Sequence, residues 1–452
     1  MRAPRSRRPA ILALASTLAI ACSAPARAAD LVEAWQAARA HDATYAAAQA
    51  ALRAALEKIP QGDAVLASHI DLVANATQAR DDYHSGDSAA KASALTHGQQ
   101  VGAALAWTKP LYDAAGAVTR DRLHREAEQA RVVHAQAVQD VILRVARAYF
   151  DVLLAQDNLR LVSAQKGAIA QQLGLARKTY ELGLASVTDA DDAQARFDSS
   201  EAAEVAARTD LDAKAAAFVE LTALDPMTLK AVSPHQLDTI PAPEQLDDLV
   251  AHARDSNPDV LQLALGVQIA HRQIDQYRLA STPVVSVVAS YGHQIDAGSI
   301  SSSGARDRTG SAAIGLQLSM PLMDGGARRS LERQAVALED QQAQSLEGAR
   351  RTAERLARQY AAAVRDGARR IASLERARVS GENSVNSNTT GREVGVRTTI
   401  DVLNAEQAYY QTLYSLSAAR YDVLFARLQL AAEAGALDER MLADVNAATA
   451  QP

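Results

Sequence analysis

Two short stretches concentrate the side chains capable of polar chemistry. One reads ELGLASVTDADDAQARF from Glu181 and the other EVGVRTTIDVLNAEQAY from Glu393, with Arg392 just ahead of it. Between them they carry Thr188, Asp189, Asp192, Arg392, Arg397, Asp401 and Asn404. Hydroxyls, carboxylates and guanidinium groups at this density can cap helices, pair with one another or attract cations. They do not read as a catalytic constellation. No Gly-Lys phosphate loop, no GxSxG elbow and no HExxH occurs anywhere, and the ten His are scattered without helical pairing, so neither enzyme activity nor a metal or cofactor is expected. Asp189 and Asp401 each follow a turn and open a helical run. The local reading is a helix N-cap, and capping combined with a second duty at a tip stays open beside it. Arg397 reads locally as a solvated charge in a turn.

The elements that position these stretches are marked by proline. None occurs in 111–225 or in 322–451, so nothing need interrupt a helix there. Within the first stretch Val138, Val141, Val145, Ala148, Val152, Ala155, Leu159 and Val162 step by three and four, as do Leu346, Ala349, Ala353, Leu356, Tyr360 and Ala363 in the second. The pattern predicts helices over about 112–182 and 322–391, each reaching ~105 Å at ~1.5 Å per residue. Both end in the matching turns above. Gly183 aligns with Gly395 at an offset of 212, pairing Ser186 with Thr398, Asp189 with Asp401 and Asp192 with Asn404. Upstream, Pro110 aligns with Pro321 at an offset of 211. The chain is therefore two copies of one unit.

Each unit opens with a shorter helical segment (31–58 and 246–279) and closes with another (189–223 and 400–434). Pro226, Pro234, Pro241 and Pro243 mark a connector between the units. Between opening and long helices the apolar residues alternate with period two, which is the strand signature. Ile70, Leu72, Ala74 and Ala76 share one face, followed by Val101, Ala103, Leu105 and Trp107. In the second unit Val285, Val287, Ala289 and Tyr291 are answered by Ala312, Ile314, Leu316 and Leu318. Polar loops are expected at 77–98 and 292–309. Trp107 and Tyr291, near strand ends, read equally as interfacial aromatic-belt residues or as packing. Four strands cannot close a barrel, so several chains must combine.

Composition bounds the class. Hydrophobic residues make up 48% and aromatics only 4%, so the apolar surface is mostly Ala, Leu and Val, which suits closely approaching helices. The N-terminus, with Arg2, Arg5, Arg7 and Arg8 ahead of an apolar run to Ala21 and then Ala26-Arg27-Ala28, has the layout of a secretory signal peptide over 1–28. Its removal takes five arginines and no acid, leaving 42 basic against 53 acidic side chains, a net charge near −11 that disfavours nucleic acid as a partner. Cys22, the one cysteine, is either a lipidated first residue or discarded with the leader. No later apolar run approaches the ~18–20 residues of a membrane-spanning helix.

The motifs GVRTTIDVLNAEQAYY, GLASVTDADDAQARFD, AYFDVLLAQDNL from Ala148 and MPLMDGGARR from Met320 together resemble the TolC family of outer-membrane channel-tunnels, over essentially all of the mature chain. The resemblance implies a mainly α fold with a membrane β-barrel, in which long antiparallel coiled-coil helices form a trimeric α-barrel continued by a shared β-barrel of four strands per chain. In that frame residues 29–225 are the first repeat, 226–245 the connector, 246–436 the second repeat and 437–452 a C-terminal tail. It implies a homotrimer in outer-membrane lipid that reaches into the periplasm, partnered by a periplasmic adaptor (membrane fusion protein) and an inner-membrane ABC or proton-driven transporter.

The family's periplasmic gate links a Thr-Asp pair, an Arg and a Tyr at the coiled-coil tips. Thr188, Asp189 and Arg397 match that pattern, while Arg392 stands where the Tyr is expected and would offer a charged link to Asp189. Of the family's two Asp rings at the constriction, Asp401 matches the first; Asn404 departs from the second, with Asp192 as its repeat counterpart. The function implied is a passive exit duct for type I protein secretion, such as export of an RTX-type toxin. The alternative is the outer-membrane part of a tripartite small-molecule efflux pump, and behind it a periplasmic adaptor or trimeric coiled-coil adhesin.

Overall fold

The computed structural model describes residues 29–84, 93–183, 186–231, 243–298 and 306–447. The leader with Cys22, and Pro234 and Pro241 of the connector, lie outside them. Helices α1 (Leu31–His41), α2 (Ala43–Leu56) and α3 (Lys58–Val65) lead into strands β1 (His69–His84) and β2 (Ser93–Tyr112), then helices α4 (Ala114–Glu181) and α5 (Val187–Thr222). The second unit repeats the order with α6 (Pro243–Ser256), α7 (Pro258–Leu279), β3 (Val284–Gly298), β4 (Arg306–Ser319), α8 (Ala327–Glu393) and α9 (Thr399–Glu433). A last helix, α10 (Glu439–Ala447), occupies most of the segment read as a tail.

The two long helices run 68 and 67 residues, about 100 Å each. Asp113 starts α4 by accepting a hydrogen bond from the Gly116 N–H at 2.7 Å. Helix α8 begins five residues later than proline spacing suggested, because Gly325 (φ 65°) and Gly326 (φ 89°) both turn into the left-handed region, which helix cannot propagate through. The opening segments are also not continuous. Asp42 ends α1 and caps α2, and Asn257-Pro258 divides α6 from α7, with Pro258 in the first turn where its missing N–H costs nothing.

The helices form a wall one layer deep. Next to the strands α3, α4, α7 and α8 are neighbours in that order, and at the far end the order is α5, α4, α9, α8. Two short helices stacked end to end thus lie beside each long one. At mid-height a girdle of large side chains holds the levels together. Tyr149, Ile142, Phe218, Leu31, Leu424 and Leu428 are fully buried there, and the Tyr149 hydroxyl donates to the Lys230 carbonyl at 2.7 Å. Ala29 forms a parallel bridge with Leu229, and the Leu31 N–H donates to Asn446 of α10, so both ends of the described chain are tied into the girdle. The α4 seam is buried largely as its spacing suggests. In α8 the buried stripe is Ala353, Ala357, Ala361 and Val364; of the expected residues Ala353 is buried, Leu356 and Tyr360 are half-buried, and Ala363 is exposed, the stripe running one position further along after Ala353. The reason is position: α8 ends the row, and its second face has no neighbour within the chain.

Strands β1 to β4 make one antiparallel sheet in that order, so β1 and β4 are its free edges. The registers Leu72–Leu105, Leu105–Tyr291 and Tyr291–Ala312 put the four predicted apolar sets on a single face. That face is bare, with Leu72 71% and Ile314 78% exposed. Small or polar residues, among them Asn75, Gly102, Ser290 and Ser311, occupy the other side, which suits a lipid-facing exterior and a wet interior. Much of the expected loops is strand, since β1 runs to His84 and β2 begins at Ser93, while β3 runs to Gly298 and β4 begins at Arg306.

The α6–α7 joint contains a titratable group. Asn257 accepts from the Asp259 N–H and donates to Glu433 Oε2 at 2.8 Å and to the Glu433 carbonyl at 3.2 Å. Burial pushes the Glu433 carboxyl up to about 7, the Asp259 charge adds to this, and Arg355 and Asn257 oppose it. A carboxyl raised in the folded state binds a proton there more tightly than in the unfolded chain. Its contribution to stability is therefore full below about 4.5 and is lost as pH rises toward about 7. Glu433→Gln should flatten thermal stability across that window; an unchanged melting-versus-pH curve would remove Glu433 from this role.

Candidate functional site

The two tip turns are built alike. Helix α4 ends at Glu181, Gly183 turns with φ 70°, and the Ser186 hydroxyl caps α5 by accepting from the Thr188 N–H at 3.2 Å. Helix α8 ends at Glu393 and Gly395 turns with φ 78°. The Val396 and Arg397 N–H groups then both donate to the Gly391 carbonyl, at 2.8 and 3.1 Å. Gly391 lies under the Arg397 stem, where an added Cβ would stand 2.7 Å from Cγ.

Ser186 and Thr398 are the N-caps, three residues ahead of the carboxylates expected in that role. Asp401 instead completes a capping box. Its Oδ2 accepts from the Thr398 N–H and hydroxyl, both at 2.9 Å, while its own N–H donates to Thr398 Oγ1 at 3.2 Å. These bonds, and then the Arg397 charge, hold the Asp401 carboxyl below the usual carboxylate range. Asp189 sits in the first turn of α5, where a negative charge favours the helix N-terminus.

The expected gate links are not made within one chain. Arg397 is exposed, and among the described residues no ion pair joins it to Asp189. Arg392 does not turn to Asp189 either. Its Nη1 donates to Gln172 Oε1 on α4, and Gln172 Nε2 donates to Glu406 Oε1 on α9 at 3.3 Å. Glu406 is 7% exposed and its Oε2 is buried without a partner among the described residues. Burial raises its carboxyl above the ordinary range, against the pull of Gln172 and the Arg392 charge. Three helices are thus tied at the tip through Arg392, Gln172 and Glu406. Asn404 is also engaged: its Oδ1 accepts from Arg196 Nη2 of α5 at 2.9 Å, and Arg196 Nη1 reaches Gln407 at 3.3 Å. Asp192 is exposed on α5.

Gln172, Glu406 and Arg196 were not among the residues singled out by motif. The first two had a visible signal, since each interrupts an apolar stripe, Gln172 between Ile169 and Leu173 and Glu406 after Val402 and Leu403. Arg196 had none, because an Arg on a helix surface is ordinary. Trp107 and Tyr291 share the apolar sheet face, but Trp107 is five residues from the end of β2 and Tyr291 seven residues into β3. They lie toward the middle of that face and not at strand ends.

The comparisons with known proteins converge on one assignment. The family model for outer membrane efflux proteins matches residues 34–224 and 249–436, one block in each repeat. Outer membrane protein TolC of Vibrio cholerae is 30% identical over 422 residues, 92% of this chain and 93% of its own length. Alkaline protease secretion protein AprF of Pseudomonas aeruginosa is 32% identical over 307 residues, 67% of this chain and 62% of its own. The crystal structure of outer membrane protein VceC from Vibrio cholerae superposes with a TM-score of 0.74 at 19% identity, covering 90% of this chain and 97% of that one. A helical wall continued by an open four-stranded sheet, matched in both repeats, makes this chain a member of the outer membrane efflux protein family, a TolC-like channel of the outer membrane that extends into the periplasm.

Proposed function

We propose that the chain is the exit duct of a type I protein secretion system, a homotrimer that conducts passively and works with a periplasmic adaptor and an inner-membrane ABC transporter. The observation that carries the cargo class is the likeness to an alkaline protease secretion protein over two thirds of the chain. A second reading, small-molecule efflux, is favoured by the description of the family itself. Deleting the gene and comparing the culture-supernatant proteome with drug susceptibility separates the two. Loss of a secreted protein at unchanged susceptibility is expected, whereas hypersusceptibility with an intact secretome would transfer the assignment to efflux.

In this reading each repeat forms one sector of the tunnel wall and the tip turns form its periplasmic gate. Thr188, Asp189 and Arg397, which find no link to one another inside the chain, pair across the subunit boundary, and Arg392 ties α8 to α4 through Gln172. Exposed ion pairs contribute only ~0.2–1 kcal/mol each, so three symmetric copies hold the closed state by about 1–3 kcal/mol, within reach of a docking adaptor. Asp189→Ala combined with Arg397→Ser should raise single-channel conductance in planar bilayers while trimer assembly is unchanged, and Arg392→Ala should add to it. A double variant that assembles normally yet conducts like the parent would place the gate elsewhere.

Cation preference rests in this reading on Asp401, three copies of which converge on the constriction, with Asn404 halving the ring charge and Asp192 restoring part of it. Asp401→Asn keeps an oxygen for the Thr398 cap and removes only the charge. The expected result is a reversal potential across a salt gradient shifted toward that of an unselective pore. An unmoved reversal potential would rule Asp401 out.

A further inference from the structure

The bare face of the sheet is apolar only up to a definite height. Following the register from the helical end, its rungs run Val285–Leu318, Val287–Leu316, Ala289–Ile314, Tyr291–Ala312, His293–Gly310 and Ile295–Arg308, with Arg306 beside Ala297 one rung higher. On the same face, at the opposite edge of the sheet, β1 carries Ile70 on the rung of Ala289, then Leu72, Ala74, Ala76, Gln78 and Arg80. Ten residues separate Val285 from Ile295, about 34 Å along a strand and about 25 Å vertically at the usual barrel tilt, the height of a lipid-facing band. Lys109 marks its lower end, on the rung of Val287, donating to the Leu66 carbonyl at 2.8 Å. Arg308, Arg306 and Arg80 mark its upper end.

All three arginines are exposed, and none of them is in an ion pair among the described residues. Asp296 and Asp307, at the height of Arg306 and Arg308, face the other way. Asp296 pairs in register with Asp307, and Asp296 accepts hydrogen bonds from Gln100 at 3.1 Å and Gln294 at 3.0 Å, all on the interior side. At the height of Arg306 and Arg308, strand alternation therefore puts the carboxylates of Asp296 and Asp307 toward the lumen and the two guanidinium groups toward lipid. The sorting is sharpened by closure of the barrel. Arg80 lies on edge strand β1 and Arg306 and Arg308 on edge strand β4. Backbone pairing between one copy's β4 and the next copy's β1 leaves these side chains free and brings three like charges onto adjacent strands at each seam.

We propose that Arg80, Arg306 and Arg308 form a basic collar on the lipid-facing side of the barrel's outer rim, which docks the phosphate groups of the phosphorylated lipid in the outer leaflet. The height of the collar puts it at the headgroup level, and a guanidinium fork binds phosphate in two-pronged fashion. Continuity with the apolar band selects a lipid over a soluble anion, because the acyl chains of the same molecule lie along Leu72, Tyr291 and Ile314.

The test uses the full-length trimer purified in a neutral detergent and two probes, bisphosphorylated lipid A and the same lipid with its phosphates removed, with bound lipid measured on the isolated trimer. The parent should retain the phosphorylated lipid preferentially, less so at high salt. The triple variant Arg80→Gln/Arg306→Gln/Arg308→Gln should bind it at least about tenfold more weakly, since each basic residue at a lipid surface adds to the attraction for the phosphates. The triple Lys variant should keep most of the preference and carries the test if the Gln variant fails to assemble. Equal retention of the two lipids by the parent, full retention by the Gln variant, insensitivity to salt, or displacement by millimolar inorganic phosphate would each overturn the proposal. A failure here leaves the duct reading untouched, because conductance and secretion are measured separately.

Discussion

The whole architecture depends on the backbone groups along the outer edges of β1 and β4. In hydrocarbon an unpaired N–H or C=O costs several kcal/mol, and a sheet edge offers a full row of them. A single chain has no means of covering both edges, since its four strands are spent in one open sheet. Only other copies can close the ring. The Asp113 cap and the Gly325-Gly326 turn start α4 and α8 close behind the sheet, so the wall continues directly from it. The helical wall inherits the symmetry of the barrel above it.

The wall solves a different problem, which is to enclose a wide bore with little mass. A layer one helix thick has two wet faces, so each helix can bury only its flanks. Alanine is the residue that allows this, as where Ala357 and Ala361 pack with Leu246, Ala253 and Leu430. Most of the largest buried side chains gather in the girdle, where α1, α5 and α9 pack on α4, α10 packs on α1 and α9, and a true core exists. The girdle is also the place where the stacked short helices meet, so the stiffest packing coincides with the natural break in the wall.

The elements were largely legible because each leaves a long-range mark: the proline-free stretches bound α4 and α8, period-two alternation found the four strands, and the offsets of 211 and 212 revealed the duplication. What escaped was decided by single residues or by position. Two left-handed glycines moved the start of α8, and a lone Asn-Pro step split α6 from α7. The α8 stripe was placed correctly at Ala353 but one position off beyond it, because burial on an edge helix depends on which neighbour is present. At the tips, motif matching located the right turns but not the bonds inside them. Asp401 is spent on the Thr398 cap, and Arg392 reaches across to Gln172 and not to Asp189, an outcome set by the distance between helices and invisible in the order of residues along them.

The girdle also fixes where the long helices can pivot. Tyr149 stands near the middle of α4, with 32 residues, or roughly 50 Å, between it and the tip at Glu181. A rod held at its centre is a lever: a tilt of about 5° there sweeps the free end through about 4 Å, with no hydrogen bond of the helix broken. Because the opposite end is welded to the sheet, the same tilt must be absorbed as gentle bending above the girdle, spread over dozens of residues. In the proposed gate, aperture is thereby traded for small angles deep in the shaft, and the torque that turns the rods need not be applied at the mouth.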